Sequence, residues 1–339
     1  MSDNKASSRP IDQIRNSAMS MKVGAPDDGN ITEMVSVSDR MLVVMERAIH
    51  VMQLADSIDP ARTNISIPNT QQRLLSRGAG DPIVAKTLLT AQTLFKKAHL
   101  GNDFDEQRGL TLALDLLKDI ASMADMLIAT QDAQDTAIAR FEKEAVAERH
   151  LTLPAIGDAE ARCDAFAQKV GHIVDILRDM ARLFYGEALK SKWIDSLTEL
   201  TKERYGCEDP FAKYIEAVRP FLLLLRDLRN MVEHPKAEWH IKVFDFRLLP
   251  SGQVMIPSIE IVRPGEEASQ GALTLFMSQV TDDIANVAEL FMAYLCNANV
   301  QSLPPFPIQV LELPLEQRSN PLVRMSYGCI QGDQIIRIG

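Results

Sequence analysis

From Leu110 to His150 the chain contains neither glycine nor proline. Leu112, Leu114, Leu116, Leu117, Ile120, Met123, Leu127 and Ile128 fall along one face of that run. An unbroken amphipathic stretch of this kind predicts a long helix. Its apolar stripe must be covered by other stripes, which makes packed helices the expected architecture. Past Thr130 the sequence turns polar, and the helix is expected to continue as an exposed rod or connector. Pro154 and Gly157 end it and mark the expected domain boundary.

The same periodicity predicts further helices on both sides. Met41, Met45, Ala48, Ile49 and Met52 recur at three- and four-residue steps, which predicts a helix over 35–57. Residues 58–80 contain Pro60, Pro68 and Gly78 and read as a long connection. Asp81-Pro82 is a helix start, with Asp able to cap free N–H groups and Pro suited to the first turn. That helix is expected to run to His99. Beyond the boundary, helices are expected over 158–190, 193–204, 210–234 and 271–297. The third opens on Asp209-Pro210, contains Pro220, which should kink it, and stops at Pro235. Between the last two helices, 243–248 and 254–262 alternate with period two around Pro250-Ser251-Gly252, the pattern of a β-hairpin. Three strand-like pieces follow at 308–313, 322–327 and 334–338.

The expected fold is therefore mainly α. It has a disordered arm over 1–30 and an N-terminal helical region over 31–153. A helical domain follows over 154–300 with a hairpin inserted at 241–262, and a short β-rich tail covers 301–339. The length of 339 residues allows a sizeable core without disulfides or metals. The four cysteines, Cys163, Cys207, Cys296 and Cys329, show no CxxC spacing, so no metal framework and no cofactor is expected. No apolar run is long enough to span a bilayer, and the first residues carry no apolar signal segment, so a soluble cytoplasmic protein is expected.

The 36 Lys and Arg against 46 Asp and Glu give a net charge of −10, which argues against a protein that coats nucleic acid through bulk positive charge. The acidity is uneven. Residues 171–242 hold 12 basic and 12 acidic side chains, so the rest of the chain carries the whole excess. A small, locally balanced site is compatible with that distribution.

Nucleotide-binding loops, nucleophile elbows and zinc-protease helices have no match in the sequence. Carboxylate pairs such as Asp175 and Asp179 read as parts of a solvated face. One constellation stands apart, Leu225-Arg226-Asp227-Leu228-Arg229-Asn230-Met231-Val232-Glu233-His234-Pro235, at the end of the predicted helix over 210–234. Helical spacing puts Arg226, Asn230 and His234 in one stripe with Arg229 on its flank. An imidazole moves protons near neutrality, a guanidinium holds a phosphate through paired hydrogen bonds, and an amide orients either. Such a set suits metal-free attack of a ribose 2′-hydroxyl on the neighbouring phosphate. The same spacing also suits a structural role, with Arg229 and Glu233 as an i,i+4 ion pair and His234 capping the last carbonyls.

Arg229-Asn230-x-x-x-His234 resembles the R-N-x-x-x-H signature of the HEPN superfamily of helical proteins. The resemblance covers residues 158–298. It rests on the motif and on its place, late in a long helix after one long and one short helix and before a closing one. It implies a helical bundle that dimerises, bringing two motifs into one cleft. It further implies metal-independent endoribonuclease activity of the kind found in toxin–antitoxin, phage-defence and RNA-processing systems, or the same bundle as a catalytically silent interaction module. Carried over by position, Arg229 would bind the scissile phosphate, His234 would transfer the proton and Asn230 would orient it.

Arg226, Lys236 and His240 are candidate substrate contacts beside them, with RNA as the partner. The inserted hairpin departs from the minimal bundle. Lys236 stands where some HEPN toxins carry a tyrosine that a partner modifies, so the resemblance identifies no particular antitoxin. His50 and His172 lie in expected amphipathic helices and read as core or boundary residues. Arg62, Arg73 and Arg77 read as part of a solvated loop.

Overall fold

The computed structural model describes residues 9–17, 22–144, 151–265, 268–301, 307–332 and 334–338. It is 53% helical and 19% strand, with four small antiparallel sheets, so the fold is mixed α/β and not the mainly α bundle that the periodicity predicts.

The correction begins at residue 31. After α1 (Pro10–Asn16), the expected helix over 35–57 is replaced by β1 (Ile31–Val37), β2 (Arg40–Met45) and β3 (Ile49–Gln53). A short α2 (Ala55–Ile58) follows, and β4 (Thr70–Leu75) lies within the expected connection. The four strands form one sheet in the order β1-β2-β3-β4. Leu42, Val43, Val44 and Met45 are all buried, a continuous apolar run of the kind found in strands covered on both faces. The β1–β2 turn is made by Ser38 and Asp39, and Ser38 adopts φ 56° in the left-handed region. That hairpin has neither glycine nor proline at its turn, so the boundary between its strands is silent in the sequence.

The expected helix from Pro82 is divided. It runs as α3 (Pro82–Val84), a π-helical turn (Ala85–Leu89) and α4 (Thr90–Leu94), then breaks before α5 (Lys97–Leu100). The start follows the expected chemistry, with the Asp81 carboxylate accepting from the Ile83 N–H at 2.8 Å. α6 spans Glu106–Glu144, and the remaining residues of the predicted long helix, up to His150, lie outside the described ones.

The second half contains α7 (Ala159–Tyr185), α8 (Trp193–Tyr205), α9 (Pro210–Glu233) and α10 (Leu273–Asn299). Asp209 caps α9, accepting from the N–H groups of Phe211 and Ala212 at 2.8 and 3.4 Å. Pro220 lies inside α9 without ending it. α7 packs against both α6 and α9, and α10 packs against α6, α7 and α9. Ile120, Val170, Ile173, Ile215, Leu225 and Phe291 are each at most 1% exposed, and they belong to a core continuous with Leu42 and Ile49 of the first sheet.

Between α9 and α10, β5 (His240–Phe244), β6 (Arg247–Leu248), β7 (Val254–Met255), β8 (Ser258–Val262) and β9 (Ser269–Ala272) replace the simple hairpin. β5-β8-β9 is a three-stranded sheet, and β6-β7 is a separate ribbon at the tip. The Asp245 carboxylate accepts from the backbone N–H groups of Ile156, Gly157 and Phe246, which ties this insertion to the approach to α7. β10 (Gln309–Glu312), β11 (Met325–Gln331) and β12 (Gln334–Arg337) form the last sheet.

Of the arm expected over 1–30, residues 1–8 and 18–21 lie outside the described ones. α1 is anchored by Arg15, whose guanidinium donates to the carboxylates of Asp56 and Asp59 at 2.9 and 3.1 Å. A second anchor lies at Asp28, buried at the start of the first sheet. Its carboxylate accepts from the Ala25 N–H at 2.8 Å and from His50 at 3.0 Å, and it pairs with Arg73.

These bonds favour the ionised form of Asp28 and hold its pKa at about 2, the Ala25 N–H contributing most in that direction. Because the folded value lies below the unfolded one, the group's stabilisation is present above about pH 4 and is lost as pH falls through the folded value. Asp28→Asn is expected to be less stable than wild type at neutral pH, with the difference shrinking between about pH 4 and pH 2. Urea titrations of both proteins across that range provide the measurement.

Candidate functional site

The motif lies at the end of α9. Leu222, Leu225, Leu228 and Met231 bury one face of that helix, and the polar stripe occupies the opposite edge. The helix ends at Glu233. His234 is its cap, with φ −140° and ψ 60°, and its N–H donates to the Asn230 carbonyl at 2.8 Å. His234 thus leaves helical geometry in its own φ and ψ while its N–H still closes the last helical hydrogen bond. Pro235 accounts for this, since it pushes the preceding residue out of the helical region. His234 is exposed. Asn230 is half-buried, and its side-chain amide has no hydrogen-bond partner among the described residues, so no bond ties it to His234.

Arg229 is held from two sides. Its Nε donates to Glu233 at 2.9 Å and its Nη1 donates to Asp175 of α7 at 3.0 Å. These carboxylates raise its pKa above the ordinary arginine value, the Glu233 hydrogen bond contributing most. Asp175 also accepts from Arg178 at 2.7 Å. The i,i+4 pair read from the sequence is thus part of a wider network between α7 and α9. The stem of Arg229 crosses α7 at Gly171, where an added Cβ would lie 2.8 Å from the Arg229 Cβ and Cγ and 2.2 Å from its Cδ.

The outer candidates are less closely joined. Arg226 is exposed and donates to its neighbour Asp227 at 2.8 and 3.1 Å. Lys236 and Trp239 close a tight turn through reciprocal backbone hydrogen bonds of 3.0 Å, and the Lys236 ammonium lies 5.6 Å from the indole centre. His240 Nδ1 donates to the Lys236 carbonyl at 2.9 Å. That bond places the Nδ1 proton and leaves Nε2 as the acceptor of the neutral ring.

His50 meets its sequence reading in burial but not in element, and His172 does not meet it. His50 is buried, but on β3 and bonded to Asp28. His172, expected in the core or at its boundary, has a side chain 61% exposed. Its Nδ1 donates to Asp119 of α6, a carboxylate that also accepts from Lys169 at 2.8 Å. Asp119 is the one buried acid of α6 among the described residues. Arg62, Arg73 and Arg77 are all bound to carboxylates: Arg62 to Asp56 and Asp12, Arg73 to Asp28, and Arg77 to Asp81 and Asp125.

Cys163, Cys296 and Cys329 are buried and Cys207 is exposed, all as free thiols. Burial pushes the Cys163 thiol up to about 12, which keeps it protonated. Among the described residues, no group of three or more His, Cys, Asp and Glu side chains is arranged to hold a metal ion, and no helix is long and apolar enough to cross a membrane. Comparison with known proteins finds no matching family model, no matching curated protein and no matching solved structure.

Two outcomes test this geometry. Gly171→Val should lower unfolding stability by about 1–3 kcal/mol in urea denaturation, because the close approach of the Arg229 stem leaves no room for a branched side chain. The half-exposed Asp175–Arg229 pair should show a coupling below about 1 kcal/mol in a double-mutant cycle with alanine.

Proposed function

We propose that residues 158–298 form an HEPN-like module that cleaves RNA without a metal ion, two copies of the chain each contributing one motif. The observation that carries this reading is the pairing, at one helix end, of an exposed imidazole, His234, with a half-exposed guanidinium, Arg229, both presented by a helix whose other face is buried. Local charge balance supports it, because residues 171–242 carry no share of the net acidity.

In this reading the phosphate displaces a carboxylate from Arg229, exchanging one charge-assisted bond for another. The His234 imidazole removes the proton of the ribose 2′-hydroxyl, and the oxygen attacks the neighbouring phosphorus. The P–O5′ bond breaks, and the leaving oxygen takes a proton from the imidazolium of the second copy. The products are a 2′,3′-cyclic phosphate and a 5′-hydroxyl. Arg229 stabilises the charge that builds on the phosphoryl oxygens. Arg226, Lys236 and His240 contact the flanking backbone.

A second reading is favoured by the Asp175–Arg229–Glu233 network. Here the motif is a clamp between α7 and α9, and the module serves protein association without catalysis.

RNA cleavage in EDTA separates the two. The first reading expects cleavage by wild type with cyclic-phosphate ends and a loss of about 100-fold or more in both Arg229→Ala and His234→Ala. Absence of cleavage by wild type across varied RNAs, or equal cleavage by all three proteins, would overturn it and leave the clamp.

A further inference from the structure

A cavity of about 680 Å³ lies apart from the motif, within the size range of sites for small organic ligands. Three separate parts of the chain enclose it: the β1–β2 region with Ala79 and Gly80, the α4–α5 segment, and the last sheet with the loop before it. The walls are joined across its edges. Asn320 Nδ2 donates to the Ala79 carbonyl at 2.9 Å, and Gln92 Nε2 donates to Glu33 at 3.4 Å. The His99 ring packs on Tyr327 with centroids 4.0 Å apart. The Tyr327 hydroxyl donates to the Leu94 carbonyl at 2.7 Å, fixing the floor against the last sheet.

The lining is chemically polarised. Leu89, Leu313, Val323, Met325 and Ile338 supply apolar surface. Glu33 and Glu46 stand on the wall from the first sheet, whereas Arg318 and Arg337 stand on the wall from the last. The guanidinium of Arg318 is consumed by its own loop, donating to the carbonyls of Leu313 and Pro321 and to Glu312. Arg337 donates only to the Ser319 hydroxyl at 3.2 Å, and Glu33 accepts only from Gln92, so neither has an ionic partner among the described residues. The other charges of the lining are paired, Lys96 with Glu106 at 3.5 Å and Glu46 with Arg47 at 3.8 Å. Among the described residues this leaves one cation and one anion, Arg337 and Glu33, exposed on either side of an apolar floor, which a ligand of matching polarity would engage together.

We propose that this cleft binds a small amphoteric molecule of the α-amino-acid or short-peptide class. The carboxylate faces Arg337, the ammonium faces Glu33, and an apolar body lies on the floor between them. The site is independent of the motif on α9.

The test is calorimetric titration of the full chain with free aromatic α-amino acids and with dipeptides containing one aromatic residue. Their N-acetyl and C-terminal amide derivatives are titrated in parallel. Binding is expected for at least one zwitterionic probe, weakened at least about tenfold when either end is blocked, in Arg337→Gln and in Glu33→Gln. Both substituted residues are exposed, and circular dichroism checks that the variants fold. Failure of every zwitterionic probe to bind overturns the proposal. Equal binding of the blocked derivatives, or unchanged affinity in both folded variants, overturns it as well.

Discussion

α7 is the element on which the rest of the molecule depends. Cys163, Phe166, Val170, Ile173, Val174, Ile176, Leu177 and Met180 leave it apolar on more than one face. It must be covered from at least two directions, and α6 and α9 supply them. Each large apolar side chain buried there contributes on the order of 2 kcal/mol, which outweighs any single ion pair on the surface. Gly171 sets how closely α9 approaches, and that approach places Arg229 against Asp175. The position of the motif is therefore a consequence of core packing, with its charged network laid over a contact that apolar burial already fixes.

That origin explains why the polar stripe carries both structural and chemical potential. A guanidinium shared by two carboxylates is oriented but remains half-exposed, because its stem lies over a glycine and its head reaches the helix surface. His234 is released from the helix by Pro235, and its imidazole has no hydrogen-bond partner among the described residues. The outer two of the three signature residues are thus under different constraints, Arg229 positioned by its neighbours and His234 presented by the end of the helix.

The long helices were legible because their signals are redundant. α6 has an apolar stripe without breakers, and α9 has Asp209-Pro210 at one end and His234-Pro235 at the other. The first sheet was not legible. Met41, Met45, Ile49 and Met52 happen to match helical spacing, whereas the competing signal is the β-branched pairs Val35 with Val37 and Val43 with Val44, joined by a turn whose only mark is Ser-Asp. The motif residues could be found by spacing, but Asp175, which binds Arg229, could not, since it comes from another helix. The cavity between the sheets had no sequence signature at all, because its opposing charges come from strands at distant places in the chain.

Asn320 and Ala79, which close one edge of that cavity, are 241 residues apart in sequence. The helical core is built largely from neighbouring elements, whereas this junction joins segments whose loop-closure entropy is repaid only after the intervening helices have compacted. The cleft therefore rests on contacts of very long sequence separation, so a change anywhere between its walls that alters how the chain returns, far from the lining itself, alters the site.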